Sequence, residues 1–548
     1  MTSRVPVLIV GAGPVGLALA GDLGWRGVPC TLIEQTDGAI EQPKMDLVGV
    51  RTMEFCRRWG IADWVRDAAY PPDYPQDYIY LTALNGYEFG REVFPGRGFE
   101  PCPPQSPQKR ERVPQDMFDP ILARFARSFP HVTLRYQTEL TGFEETARGV
   151  RATVRTDGRT ETIEADYLIG TDGGASSVRE TLGIGMSGNP ALTYTTNVLF
   201  RCSDFDTLHD KGKGYRFIFI GPEGVCLTIV AVNGADRFRM SIVGTPEKVE
   251  HSEAEIRAAL TRAMGREFDY EILSVIRWVR RELVADRYGS ERVFIAGDAA
   301  HLMSPTGAFG MNTGIGDAVD LGWKLEATIE GWGGSALLYS YEAERRPVAL
   351  RNVAEASRNL GRMLETRKRL PPAEVFQSGP AGDAARKEYG DWFAESMKLE
   401  WFTNGIMLGY RYDDSPIVVP DGTPRPADET YTYTQTARPG ARAPHVWLTD
   451  RRSTLDIFGR GFTLLRLGGD PPAADRIVRA ATSAGVPLRV ETLTESRVHE
   501  AYQRRLVLVR PDGHVAWRAD REPTDAGALT DAVRGERISV KQQQEGVS

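Results

Sequence analysis

The chain has little cysteine: five residues in 548, at Cys30, Cys56, Cys102, Cys202 and Cys226, with no CxxC pair among them. That spacing excludes a disulfide framework or a zinc ribbon and points to free thiols in a reducing cytoplasm. There is no excess of positive charge. Lys and Arg number 67 against 74 Asp and Glu, a net charge of −7. A nucleic-acid backbone is therefore not expected as the main partner, because it calls for a basic surface. No uninterrupted apolar run of roughly 20 residues occurs, so no membrane partner is expected. The early stretch VPVLIVGAGPVGLALAGDL lacks a clear basic n-region and is broken by glycines, which argues against a signal peptide. No Ser–His–acid arrangement and no His/Cys cluster of metal-binding spacing is visible, so no metal is expected.

What is present is 41% hydrophobic and 26% charged, the composition of a folded chain long enough for roughly two to four domains. VLIV (7–10) runs into Gly11-Ala-Gly13-Pro14-Val-Gly16, then a helical stretch through Leu23, then a second apolar run, CTLIE, ending at Glu34. This is βαβ with a dinucleotide fingerprint. Gly11 permits the tight turn, Gly13 lets the backbone reach a pyrophosphate, and Gly16 lets helix and strand pack closely. The helix start offers free N–H groups and a positive dipole end to phosphates. Glu34 can accept from both ribose hydroxyls, with Gln35 next to it, and would repel a 2′-phosphate, which disfavours NADP here. The motif alone does not separate NAD from FAD.

Two further blocks follow. ADYLIGTDGGASSVRETLGI (165–184) gives a strand, an Asp172-Gly173 turn and a helix carrying Arg179. ERVFIAGDAAHLMSPTGAFGMNTGIGDAVDLGWKL (291–325) gives a strand ending at Asp298, then Pro305 and a glycine-rich helix start. A carboxylate just after a strand suits hydrogen bonding to a polyol. Taken together and in this order, these blocks resemble the para-hydroxybenzoate hydroxylase family of single-component FAD-dependent aromatic hydroxylases. RTMEFCRRWGI (51–61) and PQDMFDPIL (114–122) are further family-like stretches.

The resemblance implies FAD as the dinucleotide. Gly11, Gly13, Pro14, Gly16, Glu34 and Gln35 would hold its AMP half, Asp298 its ribityl chain and Gln115 its linker. Asp172 and Lys44 are expected at the same site, and Arg51 as an FAD or structural contact. Pro43-Lys44-Met45 departs from the Pro-Arg-Ala of many members, since Lys keeps the charge but not the planar fork. Backbone N–H groups from about Phe309 to Asn312, including Gly310 and Met311, would approach the isoalloxazine edge. The helix from about Thr313 would stabilise the reduced anion, and the Pro305 carbonyl would sit near C4a. Pro305, Gly310, Met311 and Asn312 are thus the expected catalytic set. NAD(P)H as co-substrate, O2 and a C4a-hydroperoxyflavin complete the implied hydroxylation of a phenolic or polycyclic aromatic. His301 is expected to be structural.

Between the second and third blocks, YTTNVLFRC (194–202), YRFIFIG (215–221), VCLTIVAVN (225–233) and RFRMSIVG (237–244) read as an antiparallel sheet roofing the flavin. Alternation puts Phe217 and Phe219 on one face and Arg237 and Arg239 on one face. Phe217 and Phe219 are expected substrate contacts, and Arg237 and Arg239 are either contacts for a substrate carboxylate or phenolate or solvated outer-face residues. A helical stretch over about 335–370 should pack on the FAD domain, before Pro/Gly-punctuated sequence from about 371 to 440. The C-terminal order β-α-β, then ββα, is that of a thioredoxin-like domain, as in the subgroup that tailors polyketide and indole-derived aromatics. Having no cysteine after Cys226, it cannot run dithiol chemistry and is expected as a structural or oligomerisation module.

The expected fold is α/β: a Rossmann-like FAD-binding domain with an inserted antiparallel-sheet substrate domain and a C-terminal thioredoxin-like domain. The expected boundaries are 1–185 (with about 70–110 joining the substrate domain), 186–280 for the substrate sheet, 281–400 for the second FAD part and helices, 401–440 as linker, 441–540 thioredoxin-like and 541–548 a disordered tail. Two other readings stay open: a nicotinamide-independent oxidase-like tailoring enzyme, and a flavin-binding scaffold without turnover.

Overall fold

The computed structural model describes residues 2–245, 247–401 and 403–536; the expected tail at 541–548 lies outside them. The first strand, Thr2–Val10, pairs in parallel with Cys30–Ile33 on one side and with the end of Arg159–Gly170 on the other. Val132–Arg135 extends the parallel sheet beyond Cys30–Ile33, and Val293–Ile295 extends it beyond Arg159–Gly170. The three FAD-type blocks therefore converge, because each of their strands ends at the same edge of one sheet. Val7, Leu8 and Ile9 are fully buried between helices, as a strand covered on both faces must be. The helix after the fingerprint runs Pro14–Arg26, one turn longer than expected, and stops at Gly27 in the left-handed conformation (φ 90°).

The second sheet has eight strands. In spatial order they are His301–Leu302, Glu271–Ala285, Met186–Arg201, Arg237–Thr245, Gly224–Ala231, Arg216–Gly221, Tyr78–Leu81 and Glu88–Glu92. Strands from 78–92 do join it, and the 216–221 strand meets 78–81 in parallel while the other pairs are antiparallel. Both faces of this sheet are covered. Helix Glu253–Met264, started by a Ser252/Glu255 capping box, lays Ile256, Leu260 and Met264 against Phe217 and Phe219. Helix Pro380–Trp401 lays Tyr389, Phe393 and Met397 against Tyr80, Ile218 and Ile220 on the other face. The punctuated region from 371 is thus not a free connection; its first half is a 22-residue helix. Its second half is largely packed against the body, with Tyr410, Tyr412, Ile417 and Ala437 buried.

The C-terminal sheet has the order Leu488–Leu493, Phe462–Leu467, Leu506–Val509, Val515–Ala519, the first pair parallel and the others antiparallel. Helices Asp475–Ser483, Ser496–Tyr502 and Ala526–Val533 complete a thioredoxin-like arrangement. It docks on the first domain through Trp323, Trp332 and Phe462 and through a seam of buried ion pairs. The five cysteines are free. Among the described residues no helix is long and apolar enough to cross a membrane.

Candidate active site

The fingerprint glycines are there for different reasons. A Cβ on Gly11, whose φ is 104°, would collide with the Thr171 carbonyl, and one on Gly16 with the Gly11 carbonyl. Both are demanded by the protein's own packing. Gly13 is not: a Cβ there would meet nothing within 4 Å, and Gly13 lines a cavity. The space in front of it is what a pyrophosphate needs in order to reach the helix N-terminus. Glu34 accepts from the Ala12 N–H (2.9 Å) and from Thr36. It and the exposed Gln35 lie outside the cavity lining.

Asp298 is surrounded by protein yet open to the cavity, and its carboxylate has no hydrogen-bond partner among the described residues. That desolvation pushes its carboxyl above the usual range, against the pull of His301 and Lys44. An unpartnered carboxylate is what a polyol chain would satisfy. Downstream, Gly307 (φ 92°) and Ala308 (φ 57°) both take left-handed backbone, strain of the kind that clusters at functional sites. Helix Gly310–Ile329 follows, three residues earlier than expected. The N–H groups of Gly310, Met311 and Asn312 are its first turn and have no intrahelical acceptor. Pro305, Gly310 and Met311 line the cavity.

The later glycines answer to packing. A Cβ on Gly314 would strike Val15, one on Gly316 the Arg345 guanidinium, and one on Gly322 the Asp22 carboxylate.

The cavity measures about 620 Å³ and runs from Gly13 and Asp298 to the inner face of the eight-stranded sheet. Its wall is basic: Lys44, Arg112, Arg216, Arg239 and Arg280 line it together with Asp46, Asp298 and Glu400. Asp46 organises one side, accepting from the Tyr215 hydroxyl (2.6 Å) and from Arg112 (3.3 Å), with Arg239 at 3.9 Å. The Arg112 guanidinium lies 3.3 Å from the Tyr215 ring centre, and burial raises that phenol well above its ordinary range. Gln115 lines the cavity, accepting from the Lys44 N–H and donating to Asp119. Burial lifts the Asp119 carboxyl to about 7.

Several expected site residues are placed otherwise. Phe217 and Phe219 do share a face, but it is the face under helix Glu253–Met264, fully buried and away from the cavity. Arg239 reaches the cavity, whereas Arg237 pairs with Asp116 at 2.8 Å outside its lining. Asp172 caps the following helix, accepting from Ser176, Ser177 and the Val178 N–H. Arg179 donates to Gly174 and Ala299 carbonyls, tying the second block to the third. Arg51 is structural: it holds Glu54 and the Asp512 carbonyl across the domain seam. The Asn312 side chain accepts from the Gly49 N–H and Thr52 and donates to the Leu47 and Ala308 carbonyls, leaving its backbone N–H alone for a ligand. His301 is buried against Asp317 at 2.8 Å.

Asp46, Tyr215, Thr195, Trp278 and Arg280 escaped sequence reasoning. The strand EILSVIRWVRRELVA (271–285) was readable from its β-branched and aromatic content, and alternation along it puts Ile276, Trp278 and Arg280 on one face. Among the described residues no group of three or more His, Cys, Asp or Glu could hold a metal ion.

Comparison with known proteins agrees with this geometry. A family profile described as "FAD binding domain" matches residues 4–356, and one described as "Aromatic-ring hydroxylase, C-terminal" matches residues 436–535. The FAD-dependent monooxygenase apdD of Emericella nidulans is 32% identical over 551 residues, covering 94% of this chain and 87% of its own. Aklavinone 12-hydroxylase RdmE of Streptomyces purpurascens is 32% identical, covering 97% of this chain and 98% of its own. The rebeccamycin biosynthetic enzyme RebC, solved with reduced flavin, superposes with a TM-score of 0.90 at 38% identity, covering 98% of this chain and all of that one.

Proposed function

The chain belongs to the FAD-binding aromatic-ring hydroxylases and is an FAD-dependent monooxygenase; from that premise we propose that it hydroxylates a phenolic or polycyclic aromatic, with NAD(P)H and O2, in the cavity below the eight-stranded sheet. The observation that carries this reading is the continuity of that cavity, from the open face of Gly13 past the unpartnered Asp298 to the sheet wall. Relatives named for aklavinone hydroxylation and rebeccamycin biosynthesis support an aromatic natural product as substrate.

Gly13, Pro14 and the helix start would hold the pyrophosphate, Glu34 the ribose, Asp298 the ribityl hydroxyls, and Lys44 and Gln115 the linker. The first-turn N–H groups of Gly310, Met311 and Asn312 offer positive potential to charge building on the ring system. When bound, FAD supplies the activation of O2 and the delivery of one oxygen atom to the ring. The protein's part is to orient the aromatic, exclude water and hold the wall fixed. Asp46 does the last of these, locking Tyr215, Arg112 and Arg239 into one polar panel. Free thiols suit a cytoplasmic enzyme.

The test is anaerobic mixing of the FAD-loaded protein with NADH or NADPH, following flavin absorbance with and without phenols, polyketide aromatics and indolic compounds. Bleaching accelerated by one aromatic class supports the hydroxylase and names that class. A flavin that nicotinamide never bleaches counts against it and favours the nicotinamide-independent reading.

A further inference from the structure

The two edge strands of the C-terminal sheet are finished differently. Val515–Ala519 is bonded on into the preceding chain: the Val515 N–H donates to the Ala441 carbonyl, and the carbonyls of Val515 and Ala516 accept from Gly440 and Val419. Leu488–Leu493 pairs with Phe462–Leu467 on its inner side and, among the described residues, with no strand on its outer side. Its register identifies the groups that face out. The Pro487 carbonyl accepts from Phe462 and the Leu493 carbonyl from Gly468, with unbroken pairing from Phe462↔Leu488 to Leu467↔Leu493 between them. Residues along such a ladder bond alternately to one side and the other. Arg489 and Glu491 therefore turn their backbone inward, while Leu488, Val490 and Thr492 present N–H and carbonyl outward.

An open edge is a template for another strand, and proteins blunt it with proline, lysine, a bulge or a cover. None of these guards this one. The segment LRVETL holds no proline or lysine, and its ladder has no bulge. Val490 is 38% exposed. The charges on the strand are one of each sign, Arg489 and Glu491, paired with each other along one face.

We propose that this strand pairs antiparallel with the same strand of a second copy of the chain, about a two-fold axis through Val490. That axis uses all three outward residues. Val490 exchanges bonds with the partner's Val490, and Leu488 with the partner's Thr492, joining two four-stranded sheets into one. Between them fall the non-hydrogen-bonded pairs, in which facing side chains come closest. There Arg489 stands opposite the partner's Glu491, and the symmetry makes this contact twice. Opposite charges in such pairs stabilise and like charges destabilise. The strand is self-complementary in hydrogen bonding and in charge in one and the same register, as an isologous contact requires.

The test is sedimentation velocity of the FAD-loaded full chain over a concentration series. One strand pair is a small contact, so monomer is expected at about 1 µM and dimer at about 100 µM. Val490→Pro removes an outward N–H, which an edge strand tolerates, and is expected to stay monomeric with its FAD content unchanged. Arg489→Glu and Glu491→Arg each set like charges face to face and should weaken self-association by about tenfold or more. An equimolar mixture of these two variants restores opposite charges across both pairs and should dimerise as wild type does, which fixes the register as well as the contact. A chain still monomeric at the highest concentration, a dimer that survives Val490→Pro, charge reversals without effect, or a mixture that stays monomeric would each overturn the proposal. Where Val490→Pro does not fold, the two charge reversals and their mixture decide alone.

Discussion

Two regions of this molecule hold charge inside the fold and treat it in opposite ways. In the seam between the first domain and the C-terminal domain, Lys324 bonds Asp320 (2.7 Å) and Glu344 (2.6 Å). Arg510 bonds Glu344 through two nitrogens and also Asp512 (2.8 Å). Nearby, Glu54 sits between Arg51 and Arg442. On the cavity wall, Asp298, Thr195 and Arg280 have no partners among the described residues. The residue types do not distinguish the two regions; the partnering of the charged groups does. A buried charge with its complement in place holds structure, and breaking it leaves the other partner stranded. A buried charge without one is a liability kept for a ligand.

The largest expected effect is therefore in the seam, far from any chemistry. Glu344→Ala takes one of its two carboxylates from Lys324, the doubly bonded carboxylate from Arg510 and the only acceptor of the Ser415 hydroxyl among the described residues, and should cost about 3–5 kcal/mol. Denaturant unfolding of the ligand-free protein measures it. A loss below about 1 kcal/mol, the scale of a surface pair, would break the contrast.

Acid should act on the same seam next. Burial holds the His514 imidazole down to about 4 from an ordinary 6.5. Between those values the unfolded chain takes up a proton that the folded one refuses, so stability falls as pH drops from 6.5 toward 4. Glu54 adds a second window. Burial raises its carboxyl, but Arg442 and Arg51 outweigh that and bring it to about 2 from 4.5, so its contribution fades as pH drops from 4.5 toward 2. The His514 step is on the order of 3 kcal/mol. Melting temperatures from pH 7 to 4 should fall in wild type and fall less in His514→Gln.

How much of this was legible in the sequence follows the same division. The nucleotide strand, its glycines, Asp298 and Pro305 were legible because their meaning is local: a turn, a helix start, a carboxylate after a strand. The thioredoxin-like order was legible because element order alone specifies it. Phe217 and Phe219 were correctly put on one face, but which face met the cavity was not decidable. Both faces of that sheet are covered, so alternation carries no polar–apolar contrast. Nothing in the sequence sets Arg280 apart from Arg277 and Arg281 beside it, and only the fold shows its Nε and Nη1 buried without a partner. Asn312 and Arg51 were recognised as important, while their partners, hundreds of residues away in Arg51's case (Asp512), were invisible. The helix at 380–401 was missed because Pro and Gly at its start resemble a linker.

Moving to the wall, Asp298→Ala should leave the apoprotein at least as stable as wild type while FAD binds about tenfold more weakly, the worth of hydrogen bonds to a charged group. Asp298→Asn, which keeps an acceptor, should fall between. Fluorescence titration of the apoprotein with FAD reads both. An unchanged FAD affinity in Asp298→Ala would remove Asp298 from the cofactor site and weaken the cavity side of the contrast.

The smallest effect sharpens the contrast most, because its sign is what matters. Thr195 and Ser415 are both buried hydroxyl residues on the two sides of the comparison. Ser415 donates to Glu344 in the seam; Thr195 Oγ1 has no partner on the wall. Replacing a bonded hydroxyl forfeits the bond and leaves its partner short, about 1–3 kcal/mol. Replacing an unbonded one by an isosteric methyl removes a desolvated polar atom and forfeits nothing. Thr195→Val should therefore be neutral or raise the ligand-free melting temperature slightly, while Ser415→Ala lowers it by about 1–2 °C, of the order expected for ΔΔG near 1–2 kcal/mol in a chain this long. If Thr195→Val instead costs as much as Ser415→Ala, the wall hydroxyl is a structural group, and partnering does not separate the two regions.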